Sequence, residues 1–345
     1  MKSKAGMSTD STQRIRLTVA DARALSERAL RGMGFDADEA RIIADHVMDA
    51  ALCGYEYSGL AKLLNIADDP RFIKSPRSPM RVVRETNVSV LFDGGNNVGM
   101  LAMYYATRAA IERAQRHGFA LIGLTNSWMS GRGSYYVGMI ARANLVGIHT
   151  VSASRQVAPL GGAKAALGTN PISFGFPTQG EPLLIDIATS ALAATDLKIR
   201  ERLGTPLPEG VAIDPQGHPT TDAALARLGA LLPFGGHKGY ALAIAVRALG
   251  VLCRPALDLE KIYGYLIIAI KPDLLVPLEE FRSQLTGAIA EIKATPPQEG
   301  IKEIRIPGER AARERARLMR EGIEIDRRIY DALGAIAARS RASNR

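Results

Sequence analysis

With 345 residues, 47% of them hydrophobic, and a mean hydropathy near zero, the chain has the size and composition of a soluble protein with a sizeable core and room for two domains. Two cysteines, Cys53 and Cys253, exclude a disulfide framework and a C-x-x-C metal site. The net charge of +9 would suit nucleic acid if it were concentrated, but from Glu309 onward 10 Arg alternate with 6 acids, the pattern of a solvated helix face.

No apolar run approaches the roughly 20 residues that span a bilayer. The polar stretch Met1 to Arg14 also lacks the apolar core of a secretory signal. These features lead us to expect a cytoplasmic protein that takes a small molecule rather than nucleic acid or membrane.

Residues 1–14 have little to bury and are expected to form a disordered tail. LTVADARALSERALRGMGF (17–35) has apolar residues at helical spacing, with Thr18 as N-cap, Asp21 three residues on and Gly32 to Gly34 as its stop. Asp36 should cap a second helix that Gly54 closes, and His46 within it reads as a surface or partly packed histidine. VRETNVSVLFDGGNNVG (83–99) predicts two short strands and a Gly/Asn turn. LAMYYATRAAIERAQRHGF (101–119) is a helix that stops at His117 and Gly118.

Strand composition follows in 120–126, 146–154, 168–178, 182–190 and 264–272, and HKGYALAIAVRALGVL (237–252) is an apolar helix. From Leu278 the chain reads as mostly helical. Helices, then a mixed α/β centre, then helices again predict a discontinuous helical domain at 15–78 plus 275–345 and an α/β domain at 79–274.

Gly131-Arg132-Gly133 begins like G-x-G-x-x-G, but the third glycine position holds Tyr136. Trp128, Met129 and Ser130 also separate these glycines from the preceding strand. A dinucleotide turn needs strand, glycines and helix in direct succession, so this is not a Rossmann loop. Gly161, Gly162 and Gly168 allow close backbone approach, and Thr169-Asn170-Pro171 is a turn that either presents donors or is purely structural.

Asp186 ends an apolar strand ahead of Thr189 and Ser190; it reads equally as a displayed carboxylate and as the N-cap of a following helix. Gly235-Gly236-His237-Lys238 opens a helix, where amides and a lysine suit an anion. Pro307 to Arg310 repeats that theme. The five histidines (46, 117, 149, 218, 237) form no metal-ligand spacing, so no metal is expected.

Taken in order, LGTNPISFGFPT, IDIATSALA, PEGVAIDPQGHPTTD, LLPFGGHKGYALA and IPGERAARER resemble the malate/L-lactate dehydrogenase family of non-Rossmann type. That family includes sulfolactate, ureidoglycolate and diketogulonate dehydrogenases and cyclic ketimine reductases. The resemblance runs from about Arg16 to Ile336 and implies a homodimeric oxidoreductase using NADH or NADPH. It also implies an α/β fold whose central mixed-sheet domain binds the cofactor and is flanked by helices from both chain ends. Its cofactor segments correspond to Asp186, Ala188, Thr189 and Ser190, to His237 and Lys238, and to Gly308 and Glu309, with Thr169 and Asn170 nearby.

Two departures bear on mechanism. Where the family carries G-H-D-S-H-G-x-x-R-L, this chain has Gly54 to Leu63, with Ser58 at the position of the proton-donating histidine and Lys62 at that of the carboxylate-binding arginine. NSWMSGRGSYY (126–136) corresponds to a substrate-side loop, N-S-x-H-F-G-x-x-G-Y-Y, with Met129 at its histidine. A keto acid needs a proton for its nascent alkoxide, and imidazole supplies it at neutral pH whereas serine and methionine do not. Lys62 attracts a carboxylate only as a point charge.

The resemblance therefore points to hydride transfer to a C=N or C=O substrate, with a cyclic imine favoured because its protonated form needs no further proton. Ser58, Tyr57, Lys62 and Tyr135 are the candidate catalytic residues, and Tyr55 or Glu56 could share the work. The alternatives are a 2-hydroxy acid dehydrogenase with a rearranged proton donor and a non-catalytic ligand-binding homologue. The passage from Leu249 to Gly264 is shorter than the family's, which either opens the pocket to a larger substrate or is loop variation.

Overall fold

The computed structural model describes residues 14–253 and 264–342. The expected tail, apart from Arg14, and most of the short 249–264 passage lie outside the described residues. In chain order the elements begin with β1 (Arg14–Leu17), α1 (Val19–Gly32), α2 (Ala37–Leu52), a 3-10 turn (Glu56–Ser58), α3 (Ala61–Ala67) and α4 (Pro70–Lys74). Next come β2 (Arg81–Glu85), β3 (Ser89–Val98), α5 (Gly99–His117), β4 (Phe119–Trp128), α6 (Gly133–Arg142), β5 (Val146–Ser152), β6 (Ile172–Phe176) and β7 (Leu183–Ile187). Then follow α7 (Ala194–Leu203), β8 (Ala212–Ile213), α8 (Ala223–Leu228), β9 (Ala230–Leu231), α9 (His237–Val251) and β10 (Gly264–Ile270). A 3-10 turn (Pro272–Leu274), α10 (Leu278–Ala294), α11 (Glu309–Glu321), β11 (Ile323–Asp326) and α12 (Arg327–Ala342) complete the chain.

The chain divides into two compact units, 1–68 with 311–345, and 69–310. In the smaller unit local chemistry sets the helix starts. The Thr18 hydroxyl accepts from the Asp21 amide at 3.0 Å, and Asp36 and Glu39 form a reciprocal capping box at the head of α2. His46 is 1% exposed, which corrects its reading as a surface or partly packed residue: α2 buries ten of its residues, a stripe wide enough to enclose that position. β1 pairs antiparallel with β11, from Arg14 opposite Asp326 to Leu17 opposite Ile323, a ribbon the helical reading of both termini did not anticipate.

The larger unit holds a seven-stranded mixed sheet in the order β2-β3-β4-β10-β5-β6-β7, parallel only between β3 and β4. The predicted Gly/Asn turn lies inside β3 as an irregularity. Gly95 and Asn96 take left-handed φ values of 61° and 58°, and pairing with β4 resumes at Asn97. Val90, Ile122, Ile267, Met103, Ala106, Tyr136 and Ile140 form the core between the sheet and helices α5 and α6.

Close approach of α6 depends on glycines. A Cβ at Gly175 would lie 2.3 Å from the Val137 carbonyl oxygen, and one at Gly147 would lie 3.0 Å from the Ile140 side chain. On the opposite face α9 meets β5, where Gly250 would need a Cβ 2.2 Å from that of Ser152. Thus the sheet is covered on both sides across β5, and β7 remains an edge strand.

Candidate functional site

The cofactor candidates all lie in the larger unit and gather around β7 and its exit. At the start of the strand, Gly308, at φ 93°, is placed so that a Cβ would fall 3.1 Å from the Leu184 carbonyl oxygen. The neighbouring Glu309 carboxylate accepts from the Ile306 amide at 3.1 Å and pairs with Lys293, which fixes the turn. Asp186, exposed near the end of β7, accepts from the Ser173 hydroxyl at 2.8 Å and from the Ser134 amide at 2.9 Å. The second bond satisfies a donor at the N-terminus of α6 and places a negative charge at the positive end of its dipole. Asp186 is thus a cap, as one reading proposed, but for a helix that precedes it in the chain.

Past the strand, the Thr189 amide and hydroxyl both donate to the Thr169 carbonyl, at 2.9 and 3.0 Å. The Thr189 carbonyl accepts from the Phe234 amide at 3.0 Å, and the Phe234 carbonyl from the Gly239 amide at 3.0 Å. These bonds bring the 169–170 turn, the 186–191 run and the head of α9 together. Asn170 is fully buried at φ 34°; it accepts from the Ala153 amide at 3.0 Å and donates to the Ala243 carbonyl at 2.9 Å. The Ser190 hydroxyl donates to the Leu192 carbonyl at 2.7 Å. The side chains of Asn170, Thr189 and Ser190 therefore shape the backbone, while Asp186, His237 and Lys238 are exposed.

The head of α9 is open. Gly235 and Gly236 hold φ values of 54° and 59°, and among the described residues nothing lies within 4 Å of where their Cβ atoms would be and no side chain caps the helix. His237 and Lys238 follow at once, so amides, a lysine and free space share one exposed corner, which fits a phosphate-bearing group. Among the described residues no cluster of His, Cys, Asp and Glu could hold a metal ion.

In the same unit, the loop after β4 starts from an anchored residue. Trp128 is 1% exposed, donates its indole N–H to the Asn96 carbonyl at 3.1 Å and lies under the Arg71 guanidinium at 5.1 Å. Burial pushes the Asp69 carboxyl up, but hydrogen bonds from Arg71 more than offset it and hold it below the usual range. Met129 follows in a left-handed conformation, φ 57°, which is costly for a side chain with a Cβ. Tyr135 is half-buried on α6, edge-on to the fully buried Tyr136, whose hydroxyl donates to the Ser130 carbonyl at 2.6 Å. Burial pushes the Tyr136 phenol up.

In the smaller unit, Ser58 and Lys62 are each 6% exposed, on the 3-10 turn and α3. Tyr57 is half-buried and edge-on to Tyr55 at 5.9 Å. Glu56 accepts two bonds from Arg14, at 2.9 and 3.1 Å, so its carboxylate is tied to β1. Gly59 lets this turn sit against α2, since a Cβ there would fall 2.9 Å from that of Ala51. A cleft of about 270 Å³ adjoins the turn, lined by Arg14, Glu56, Gly59, Arg317 and Glu321 among others, and neither Ser58 nor Lys62 lines it. Its arginines are engaged: Arg14 with Glu56, Arg16 with Glu324, and Arg317 with Glu314 and Glu321.

Sequence reasoning missed Ser173, Gly133 and Ser134 as partners of Asp186. The signal was present in ISFGF, where Ser173 and Gly175 alternate on one face of a strand and leave room for a close helix.

Comparison with known proteins gives a consistent result. The family model described as malate/L-lactate dehydrogenase matches residues 17–334. A malate/(S)-sulfolactate dehydrogenase of Methanothermus fervidus is 32% identical over 328 residues, covering 91% of this chain and 95% of that protein. Among solved structures, a dehydrogenase from Sinorhizobium meliloti superposes with a TM-score of 0.86 at 29% identity, over 94% of this chain and 99% of the other. The delta1-piperideine-2-carboxylate reductase of Pseudomonas syringae pathovar tomato does so with a TM-score of 0.78 at 28% identity, over 93% and 99%.

Proposed function

We propose a function from the premise that this chain belongs to the malate/L-lactate dehydrogenase family and is an NAD(P)-dependent oxidoreductase: it reduces a cyclic imine or a related intermediate rather than a plain 2-keto acid. The observation that carries the cofactor half of this reading is the convergence of 169–170, 186–191, 237–238 and 308–309 around β7. Lys238 and the open amides of α9 suit the cofactor's phosphates, Asp186 offers an exposed acceptor near the end of β7, and Gly308 lets its turn approach the Leu184 backbone. When bound, the reduced nicotinamide supplies the hydride.

The substrate half rests on Ser58 and Met129. Neither ionises near neutral pH, so the chain lacks the family's imidazoles at those positions for protonating an alkoxide. A protonated imine accepts hydride at carbon, its C=N π pair moves to nitrogen, and a neutral amine results without a proton donor. Within the smaller unit we assign Lys62 to a substrate carboxylate and the hydroxyls of Ser58 and Tyr57 to hydrogen bonds with the substrate. The piperideine-2-carboxylate reductase named above supports this reading as a protein of the same fold that is named for reducing a cyclic imine, while the malate/(S)-sulfolactate dehydrogenase stands on the side of the hydroxy-acid alternative.

We assign homodimerisation to α9. Its Ala241, Ile244, Ala245, Ala248 and Val251 are exposed at helical spacing, with Ile244 at 46% and Val251 at 50%. Size-exclusion chromatography with light scattering is expected to give twice the chain mass.

The deciding experiment is a fluorescence titration of the full chain with NADH and NADPH, followed by initial rates with delta1-piperideine-2-carboxylate, pyruvate and oxaloacetate. We expect micromolar binding of one nucleotide, about tenfold weaker in Lys238→Ala, and faster turnover of the imine. No binding of either at millimolar concentration overturns the oxidoreductase assignment for this chain. Binding with faster keto-acid turnover overturns only the substrate class.

A further inference from the structure

The Asp186 carboxylate is held more tightly than a residue near the end of an exposed edge strand needs to be. One oxygen accepts from the Ser173 hydroxyl at 2.8 Å, the other from the Ser134 amide at 2.9 Å. These two donors come from different elements: β6, which pairs Ser173 directly opposite Asp186, and the first turn of α6. The helix reaches this position only because residue 133 is glycine. A Cβ there would fall 2.0 Å from the Ser173 hydroxyl oxygen and 3.2 Å from Asp186 Oδ1.

The same sheet row continues to His149, which lies opposite Ser173 on β5. Its Nδ1 is bonded to the Leu266 carbonyl at 3.0 Å, which makes Nδ1 the protonated nitrogen and Nε2 an acceptor. That Nε2 is buried and has no hydrogen-bond partner among the described residues. Ser173 carries one hydroxyl proton and delivers it to Asp186.

We infer that Ser173 is a positioning residue. With the Ser134 amide, and with Gly133 as the space that admits both, it fixes the rotamer of Asp186 so that the carboxylate's remaining lone pairs face outward from the edge strand toward a hydrogen-bond donor of the nicotinamide cofactor. A carboxylate accepts about four hydrogen bonds, and the protein fills two of them. The lock also joins the loop after β4 to the cofactor strand, because α6 begins where that loop ends. This inference rests on the assignment of Asp186 to the cofactor site above.

The test is a cycle on the full chain comparing wild type, Ser173→Ala, Asp186→Ala and the double variant, with Kd for NADH and NADPH by fluorescence titration and Tm measured alongside. Each single variant is expected to weaken the tighter nucleotide about tenfold, the scale of a hydrogen bond to a charged group. Ser173→Ala should add less than about twofold in the Asp186→Ala background, because its effect passes through that carboxylate. A loss of packing alone would lower Tm and weaken binding equally in both backgrounds.

Unchanged affinity in Ser173→Ala while Asp186→Ala weakens binding overturns the positioning role and leaves the cofactor site standing. Unchanged affinity in Asp186→Ala overturns the assignment of Asp186 itself. A second cycle tests the geometry: Gly133→Ala should lower Tm, and Ser173→Ala introduced with it should recover part of the loss by removing the atom at 2.0 Å. No recovery overturns the steric argument.

Discussion

Asn170 offers the sharpest test of how the cofactor region is held together, because its side chain is fully buried and bonds to two segments far away in sequence. In Asn170→Ala the Ala153 amide loses its acceptor at the end of β5 and stays buried, at a cost of about 1–3 kcal/mol. The bond to Ala243 on α9 is lost as well, about 1 kcal/mol for a neutral pair. The backbone at φ 34° suits Asn or Gly better than Ala, which adds about 1 kcal/mol.

The sum is about 4 kcal/mol. In a unit of this size each kcal/mol moves Tm by about 2–4 °C, so calorimetry should find Asn170→Ala about 10 °C less stable. Asn170→Gly loses the same bonds but tolerates the backbone, and it should recover part of that deficit. Nucleotide affinity should fall in both, since α9 carries Lys238. A Tm change under 3 °C in Asn170→Ala would refute the bridge, and identical Tm values for the Ala and Gly variants would refute the backbone contribution.

Two further outcomes follow from the core. Gly175→Ala drives a Cβ to 2.3 Å from the Val137 carbonyl oxygen and should destabilise by about 1–3 kcal/mol by displacing α6, whereas Gly180→Ala, with nothing within 4 Å, should change stability by less than about 0.5 kcal/mol; urea titrations of both separate packing from composition. Burial lowers the His149 pKa below its ordinary value, against weaker opposing effects of the Leu266 carbonyl and Asp186, so the unfolded chain takes up a proton first as pH falls. The stability this histidine contributes is therefore complete above about pH 6.5 and is lost as pH drops toward its folded pKa, with a slope of up to about 1.4 kcal/mol per pH unit; His149→Gln should flatten the dependence of Tm on pH between 7 and 5, and an unchanged profile would contradict the assignment.

Features set by a few consecutive residues were legible in the sequence. Thr18 with Asp21, Asp36 with Glu39, and Gly118 after α5 each act within one helical turn, and each appears where local chemistry put it. Features set by distant partners were not. RIRL at 14–17 has too few residues to declare a strand, and its partner 323–326 lies at the other end of the chain, amid helical sequence. His46 looked like a polar interruption in an amphipathic helix, but α2 is enclosed too widely for its pattern to expose one position. Asp186 read equally as a displayed carboxylate and as the cap of a following helix, yet the helix whose amide it accepts from lies 52 residues earlier, and only the sheet brings the two together.

The candidate site shows the same contrast in its two glycine pairs. Gly131-Arg132-Gly133 resembles the start of a phosphate loop, but the helix that follows has a leading amide already engaged by Asp186, an anion from within the protein. Gly235-Gly236-His237-Lys238 matches no dinucleotide motif, but its glycines hold left-handed backbone in open space and its helix has no side-chain cap. A helix N-terminus stabilises one nearby negative charge well, and its effect fades within the first turn. In the proposed reading the two pairs therefore divide the work: the first anchors the substrate-side loop to the cofactor strand, and the second leaves amides and a lysine available for the cofactor's phosphates. On that account a nicotinamide enzyme needs no G-x-G-x-x-G, because the glycines that matter for phosphate are those whose helix the protein has left uncapped.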